Sequence, residues 1–377
     1  MECYFDNSAT TRPTQGVIDA MVSVLADDFG NPSSLHRVGD AASVRLEEAR
    51  GTVARALGCM PEEVYFTSGG TESNNIAVFG AAHALRRRGN RIVTSCVEHP
   101  SVLECMKRLE EEGFEVVYLP VDGSGRVSEE SLKESINEKT ILVSLMLVNN
   151  EVGSIQPVKA AADAIKSAGA PALLHTDAVQ AFGKLPIKVA SLGVDLLTIS
   201  SHKVHGPKGQ GALFVKKGTR LVPYVLGGGQ EGGIRSGTHG MPGIAGFAAA
   251  VSELGDIEAN AEKVAGLKEH LLSKLTEIDG LTVNSPAQFP FILNISIPGI
   301  PSEVLRNFLS ESGVYVSTGS ACSKGHRSYV LTAMGLDPKV IDSAVRISFC
   351  RFNTKEETDC LADCLLRANK TLRKVKR

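Results

Sequence analysis

The chain has 377 residues, 43% hydrophobic and 22% charged, with eight cysteines and a formal net charge of −2. That length predicts two domains, and the near-neutral charge excludes a general pull toward nucleic acid or anionic membranes. No secretion signal opens the chain at Met1 to Asp6, no apolar run is long enough to cross a bilayer, and the cysteines lack framework spacing, so a cytoplasmic protein without disulfides is expected.

From about residue 14 to 215, helical patterns alternate with short apolar runs. The predicted strands are Val64–Thr67, Arg91–Ser95, Glu115–Leu119, Ile141–Leu147, Ala172–His175, Asp195–Ile199 and Gly211–Val215, with helices such as Glu72–Arg88, Ser101–Glu112 and Lys159–Ala168 between them. This alternation predicts a mostly parallel sheet covered on both faces, with ligands bound beyond the carboxyl ends of the strands. Gly227 to Gly233 reads as a flexible loop. A long helical stretch from Gly243 to Ile278 then connects to a smaller α+β unit, with strands at Phe291–Ile297, Val314–Ser317 and Ala344–Phe349 and helices at Ser302–Ser312 and Lys355–Lys370.

The residues that carry chemistry fall at strand ends. His175 to Gln180 places Asp177 after one apolar strand, and Ser200 to Gly209 places Ser200, His202 and Lys203 after another. A lysine for a Schiff base, a carboxylate for a pyridinium nitrogen and hydroxyls for a phosphate are what a pyridoxal phosphate (PLP) enzyme requires. Thr67 to Glu72 is a small-residue turn entering a helix, whose free N–H groups and dipole suit a phosphate. Alone it is an ordinary strand-to-helix connection; joined to Ser200 and His202 it forms half of a phosphate cup. His99, at another strand's end, is either a satisfied helix-end residue or a flat ring that stacks and moves protons. Asn149, Asn150 and Glu151 close a further strand, and Arg351 is either a carboxylate clamp or a surface arginine.

Cys322 sits in Ser317 to His326, a run of small and polar residues that predicts an exposed, mobile loop. Lys324 and His326 favour its thiolate, yet chemistry alone leaves a reactive and an inert exposed thiol equally open. Cys360 and Cys364, four apart on a predicted helix, read as packed small hydrophobes rather than a metal site. The tail cations Arg373, Lys374 and Lys376 read as a solvated helix end.

The order of these blocks resembles the cysteine desulfurases of the class V aminotransferase-like, fold type I PLP enzymes. The resemblance runs nearly end to end, through Asp6–Thr11, Gly30–His36, Thr67–Asn75, Val97–Pro100, Val148–Gly153, Asp177–Gln180, Ser200–Gly209, Gly227–Thr238, Gly319–Ser323 and Arg351-Phe352. It implies an N-terminal segment (1–13) packed with the small domain, a large PLP-binding domain (14–258) with a seven-stranded sheet, and a small domain (259–377) carrying Cys322. It implies Lys203 as the Schiff-base lysine, Asp177 on the pyridinium nitrogen, Gln180 on the phenolic oxygen and His99 on the ring. Gly70, Thr71, Ser200 and His202 would hold the phosphate, and Thr238 would reach that of the neighbouring subunit in a homodimer. Asn150 and Arg351 would bind the carboxylate of L-cysteine. Cys322 would take the sulfur as a persulfide, leaving alanine, and pass it to an iron–sulfur scaffold or a tRNA thiolation enzyme. Direct nucleic-acid binding, a membrane and a metal are not expected.

Two positions depart from the family pattern. The loop after Cys322 is about two residues shorter than in housekeeping members, which limits its reach. Gly232 stands where members usually carry arginine. A selenocysteine lyase or cysteine sulfinate desulfinase is the nearest alternative activity, and a non-catalytic PLP-fold scaffold binding sulfur-transfer partners is the alternative outside enzymes.

Overall fold

The computed structural model describes residues 2–318 and 327–372. Strand β1 (Cys3–Tyr4) is followed by α1 (Gln15–Ala26), whose start is capped by Thr14 accepting from the Val17 N–H, and by α2 (Arg37–Leu57), which ends at Gly58 with φ 69°. That left-handed stop is one a glycine adopts without strain. Then come β2 (Val64–Thr67), α3 (Gly70–Leu85), β3 (Arg91–Ser95), α4 (Pro100–Glu111), β4 (Glu115–Leu119) and α5 (Glu129–Ser135). The alternation continues through β5 (Thr140–Ser144), α6 (Val158–Ala168), β6 (Leu173–Asp177), α7 (Val189–Leu192), β7 (Leu196–Ser200) and β8 (Gly211–Val215).

These strands form a seven-stranded sheet in the order β2-β8-β7-β6-β5-β3-β4. Every pair is parallel except those made by β8, which runs antiparallel to both β2 and β7. The reason is local: β7 reaches β8 through a short turned segment rather than a helix, too short for a parallel crossover. Strands β5, β7 and β8 are buried along their whole length, which is why they read as unbroken apolar runs rather than alternating ones.

The expected continuous helix over 243–278 is two helices, α8 (Met241–Ser252) and α9 (Ile257–Lys274). Gly255 takes φ 65° between them, and the Asp256 carboxylate restarts the helix by accepting from the N–H groups of Glu258 and Ala259. The remaining elements are β9 (Thr282–Val283), β10 (Ile292–Ser296), α10 (Ser302–Glu311), β11 (Val314–Tyr315), α11 (Tyr329–Ala333), α12 (Pro338–Asp342), β12 (Ala344–Ser348) and α13 (Lys355–Thr371). Strands β12, β10 and β9 make an antiparallel sheet, and β1 pairs in parallel with β11. This pairing lays Asp6 to Ala9 against β12 and, beyond it, against the segment after β7: Ser8 N–H donates to Ser348 Oγ and Thr11 N–H to the His202 carbonyl. The chain's first residues thereby become part of the site.

Candidate active site

A cavity of about 300 Å³ opens at the carboxyl edge of the large sheet, and Gly70, Thr71, His99, Asn150, Asp177, Gln180, Ser200, His202 and Lys203 all line it. Residues 133 positions apart thus share one wall because each ends a strand or begins a helix at the same edge.

At one end the donors suit a phosphate. Helix α3 begins at Gly70, two residues before its expected start, so Gly70 and Thr71 sit in its first turn with free N–H groups. A Cβ at Gly70 would lie 2.9 Å from Val179 Cγ2, so only glycine lets the backbone come this close. Ser200 Oγ is buried without a partner, and an adjoining recess is lined by Ser68, Thr71, Ser200, His202 and Lys208. His202 Nδ1 contacts Thr10 Oγ1 at 3.2 Å, and burial pushes its pKa down to about 4, keeping the ring neutral.

Deeper in the cavity, Asp177 is pinned from two sides. Asn74 Nδ2 donates to its Oδ2 at 2.8 Å and the Val179 N–H to its Oδ1 at 2.9 Å. The same Asn74 nitrogen donates to Ser101 Oγ at 2.8 Å, and that hydroxyl lies 2.8 Å from His99 Nδ1. His99 is also the N-cap of α4: its Nδ1 accepts from the Ser101 backbone N–H at 3.1 Å. A backbone N–H can only donate, so Nδ1 must accept and the ring proton of neutral His99 sits on Nε2. Burial, assisted by Lys203, holds the His99 pKa below its usual value despite the opposing pull of Asp177.

Lys203 lies opposite. Its Nζ donates to the carbonyls of Ser8 and, at 2.8 Å, Ala9. Burial first, then the nearby Lys184 and Arg346 cations, push its pKa down to about 7, against the pull of Asp6 and Asp177. An amine poised near neutrality is a competent nucleophile without a separate base. Gln180 Nε2 donates to the same Ser8 carbonyl at 3.0 Å.

At the substrate end, Asn150 Oδ1 is buried without a partner, whereas Asn149 is consumed in its own turn, accepting from Glu151 and Val152 N–H groups. Arg346, not Arg351, lines the cavity; it donates to the Asn150 carbonyl and to Asp6 Oδ1, each at 2.9 Å. Arg351 stacks over Phe352 at 4.7 Å with a buried, unpartnered Nη2. It is no plain surface arginine, but it does not line this cavity.

Thr238 is exposed and lies outside the cavity of its own chain. Its loop is anchored rather than free as expected. Glu231, held at φ 49°, is 6% exposed and forms a two-point pair with Arg50 at 2.8 and 2.9 Å, while its Oε2 also accepts from the Phe66 N–H and its Oε1 contacts His239 Nε2. These contacts hold the Glu231 pKa down to about 2. Gly232 and Gly233 also take positive φ, a conformation that glycine adopts without strain.

Cys322 lies outside the described residues, as do Arg373, Lys374 and Lys376. Among the described cysteines, burial pushes Cys3, Cys59 and Cys105 up to about 12 and raises Cys96, Cys350 and Cys364. Those six thiols are poor thiolates. No group of three or more metal-ligating side chains occurs among the described residues, and none of their helices is long and apolar enough to cross a membrane.

Several working residues escaped the sequence reading: Asn74, Ser101, Arg346, Lys184 and the Ser8 and Ala9 carbonyls. Asn74 had one visible signal, a polar residue on the otherwise apolar face of α3. The site also fits the cofactor by what it leaves unmet. Ser8 Oγ, Asn74 Oδ1, Asn150 Oδ1 and Ser200 Oγ are all buried, unpartnered and on residues that line the cavity, and buried polar atoms of this kind call for a polar ligand.

The family model for class-V aminotransferases matches residues 3–361. The cysteine desulfurase IscS of Methanosarcina thermophila is 42% identical over 94% of this chain and 89% of its own. A solved NifS-like protein superposes with a TM-score of 0.94 at 40% identity, covering 99% of this chain and 100% of that one. A structure described as SspA in complex with cysteine gives a TM-score of 0.82 at 34% identity, covering 93% and 100%. This chain belongs to the cysteine desulfurases of the class-V aminotransferase family, whose members depend on PLP.

Proposed function

We propose that this protein is a PLP-dependent cysteine desulfurase that converts L-cysteine to L-alanine and receives the sulfur on Cys322. The observation that carries this reading is the single cavity that Lys203, Asp177 and His99 share with the phosphate cup around Gly70, Thr71 and Ser200. When bound, PLP supplies an electron sink that weakens the bond between the substrate's Cβ and sulfur.

The chain's own residues do the rest. Lys203, largely neutral above about pH 7, would hold the cofactor through its amine. Asp177, its carboxylate oriented by Asn74 and the Val179 N–H, would keep a proton on the ring nitrogen. Gln180 would donate to the phenolic oxygen, and Gly70, Thr71, Ser200 and His202 would hold the phosphate. His99 presents an Nε2–H to the cavity, so its first act there is to donate. Asn150 and Arg346, which line the cavity, would orient the substrate carboxylate; Arg351, outside that lining, would have to swing its unpartnered Nη2 off Phe352 to join them.

The sulfur step balances with Cys322 alone: the cysteine C–S bond breaks, an S–S bond forms on Cys322, and the thiol's proton is matched by the one gained at Cβ of alanine. Covalent capture divides a difficult transfer into two easier ones. The persulfide then passes to an acceptor protein in the cytoplasm, an iron–sulfur scaffold or a tRNA thiolation enzyme. Helix α1 supports a homodimer: with Val17 and Val24 buried, it leaves Ile18, Val22 and Leu25 exposed along one stripe. Thr238 on its anchored loop would complete the neighbour's phosphate site.

The test is alanine formation from L-cysteine by PLP-loaded protein with a reductant, wild type beside Cys322→Ala. Alanine from the wild type alone supports the reading. Alanine from both moves it to a lyase or desulfinase, and alanine from neither overturns it.

A further inference from the structure

We propose that Lys184 is a positioning residue of this site: from beneath the cavity it fixes which way the Gln180 amide points and sets a buried positive charge behind Lys203. The inference rests on Lys203 and Gln180 being the cofactor-facing groups.

The geometry begins with burial. Lys184 is 6% exposed and does not line the cavity, so its ammonium is spent on neither solvent nor ligand. Its Nζ donates to Gln180 Oε1 at 3.2 Å, and among the described residues no carboxylate pairs with it. An ammonium has only donors, so it accepts no bond from an amide NH₂. Gln180 must therefore turn Oε1 down to Lys184 and Nε2 up, where it donates to the Ser8 carbonyl at 3.0 Å. Lys203 Nζ donates to that same carbonyl. One continuous path runs from Lys184 through Gln180 and Ser8 to Lys203.

The path has two consequences. A glutamine that can flip presents either an acceptor or a donor to the cavity; one held by Lys184 presents only the donor that a phenolic oxygen needs. The buried cation also opposes protonation of Lys203. The groups facing Lys203 are Lys184 and Arg346, which are positive, Asp6 and Asp177, which are negative, and the neutral imidazoles of His99 and His202. Arg346 is already paired with Asp6 at 2.9 Å, leaving Lys184 as the cation without a carboxylate of its own in this set. Burial pushes Lys184 itself down only to about 8, above the value of about 7 for Lys203, so it keeps its proton while Lys203 loses its own.

The experiment follows acylation of lysines by acetic anhydride across pH in cofactor-free full-length protein, read by mass spectrometry of the Lys203 peptide. Lys184→Met should move the Lys203 midpoint upward by about one pH unit, the effect of removing a nearby like charge. Lys184→Arg, which keeps charge and donor, should restore the low midpoint. An unchanged midpoint in a folded Lys184→Met protein overturns the proposal. So does a wild-type run in which Lys184 titrates below Lys203, a reading that needs no variant. Because no turnover or cofactor enters, failure here is distinct from failure of the desulfurase reading, which the alanine assay reports.

Discussion

Asn74 Nδ2 donates to Asp177 Oδ2 at 2.8 Å across 103 positions of sequence. The contact joins the first turns of α3, which present Gly70 and Thr71, to the end of β6, which presents the carboxylate. Through Ser101 the same nitrogen reaches His99. One amide thus sets the spacing between the phosphate end, the carboxylate and the imidazole.

Asn74→Ala should therefore weaken the cofactor site without touching the cofactor's reactive end. Leaving one oxygen of a buried carboxylate without its donor costs about 1–3 kcal/mol. The expected outcome is PLP binding weaker by about fivefold or more, measured by absorbance titration of cofactor-free protein. Unchanged affinity would show that Val179 alone suffices to hold Asp177.

What could be read from the sequence depended on how each residue meets its partner. Lys203, Asp177 and His99 were legible because strand ends and helix starts carry them to one edge, a relation that hydrophobic pattern and turn chemistry encode locally. Strand β8 was legible as a strand, though its reversal came from the short link after β7. Asn74, Ser101 and Lys184 were not legible. Each acts on another side chain far away in sequence, and a polar residue on a helix gives no sign of what it faces. Arg346 lies within the fully buried strand β12, where apolar neighbours concealed its turn toward the cavity. The loop at 227–233 looked free because glycine suggests freedom; Glu231 inside it is one of the most constrained acids in the molecule.

Uptake of PLP should track the neutral form of Lys203. A base held at about 7 rather than its ordinary 10.5 is largely deprotonated above neutrality. The association rate, followed by stopped-flow absorbance, should rise as pH passes through about 7 and then level off, while Lys203→Ala should form no covalent adduct at any pH. A rate that keeps climbing tenfold per pH unit well above this point would mean that Lys203 titrates as an ordinary lysine.

The stripe on α1 predicts the oligomer. Leu25 is 64% and Val22 54% exposed, on a stripe beside the buried face that carries Val17 and Val24. Burying one such side chain contributes about 1.5–3 kcal/mol, so Leu25→Asp should weaken a dimer through this face by at least about tenfold in sedimentation equilibrium. An unchanged association constant would place the contact elsewhere.

Glu231 gives the sharpest pH test of stability. Its carboxylate is nearly fully buried against Arg50, and its folded pKa of about 2 lies below the ordinary 4.5. Above about 4.5 both folded and unfolded states are ionised and the full contribution is present. As pH falls toward about 2 the unfolded state binds a proton first, so the contribution is lost through this window. Glu231→Gln leaves the buried Arg50 cation with only the exposed Glu47 as counter-charge, a loss on the order of 3 kcal/mol near neutral pH. Denaturant curves of the two proteins should therefore lie apart at neutral pH and converge as pH falls from about 4.5 to about 2. A gap that stayed constant over that range would mean that the loop is held by its hydrogen bonds to Phe66 and His239 and not by the charge pair.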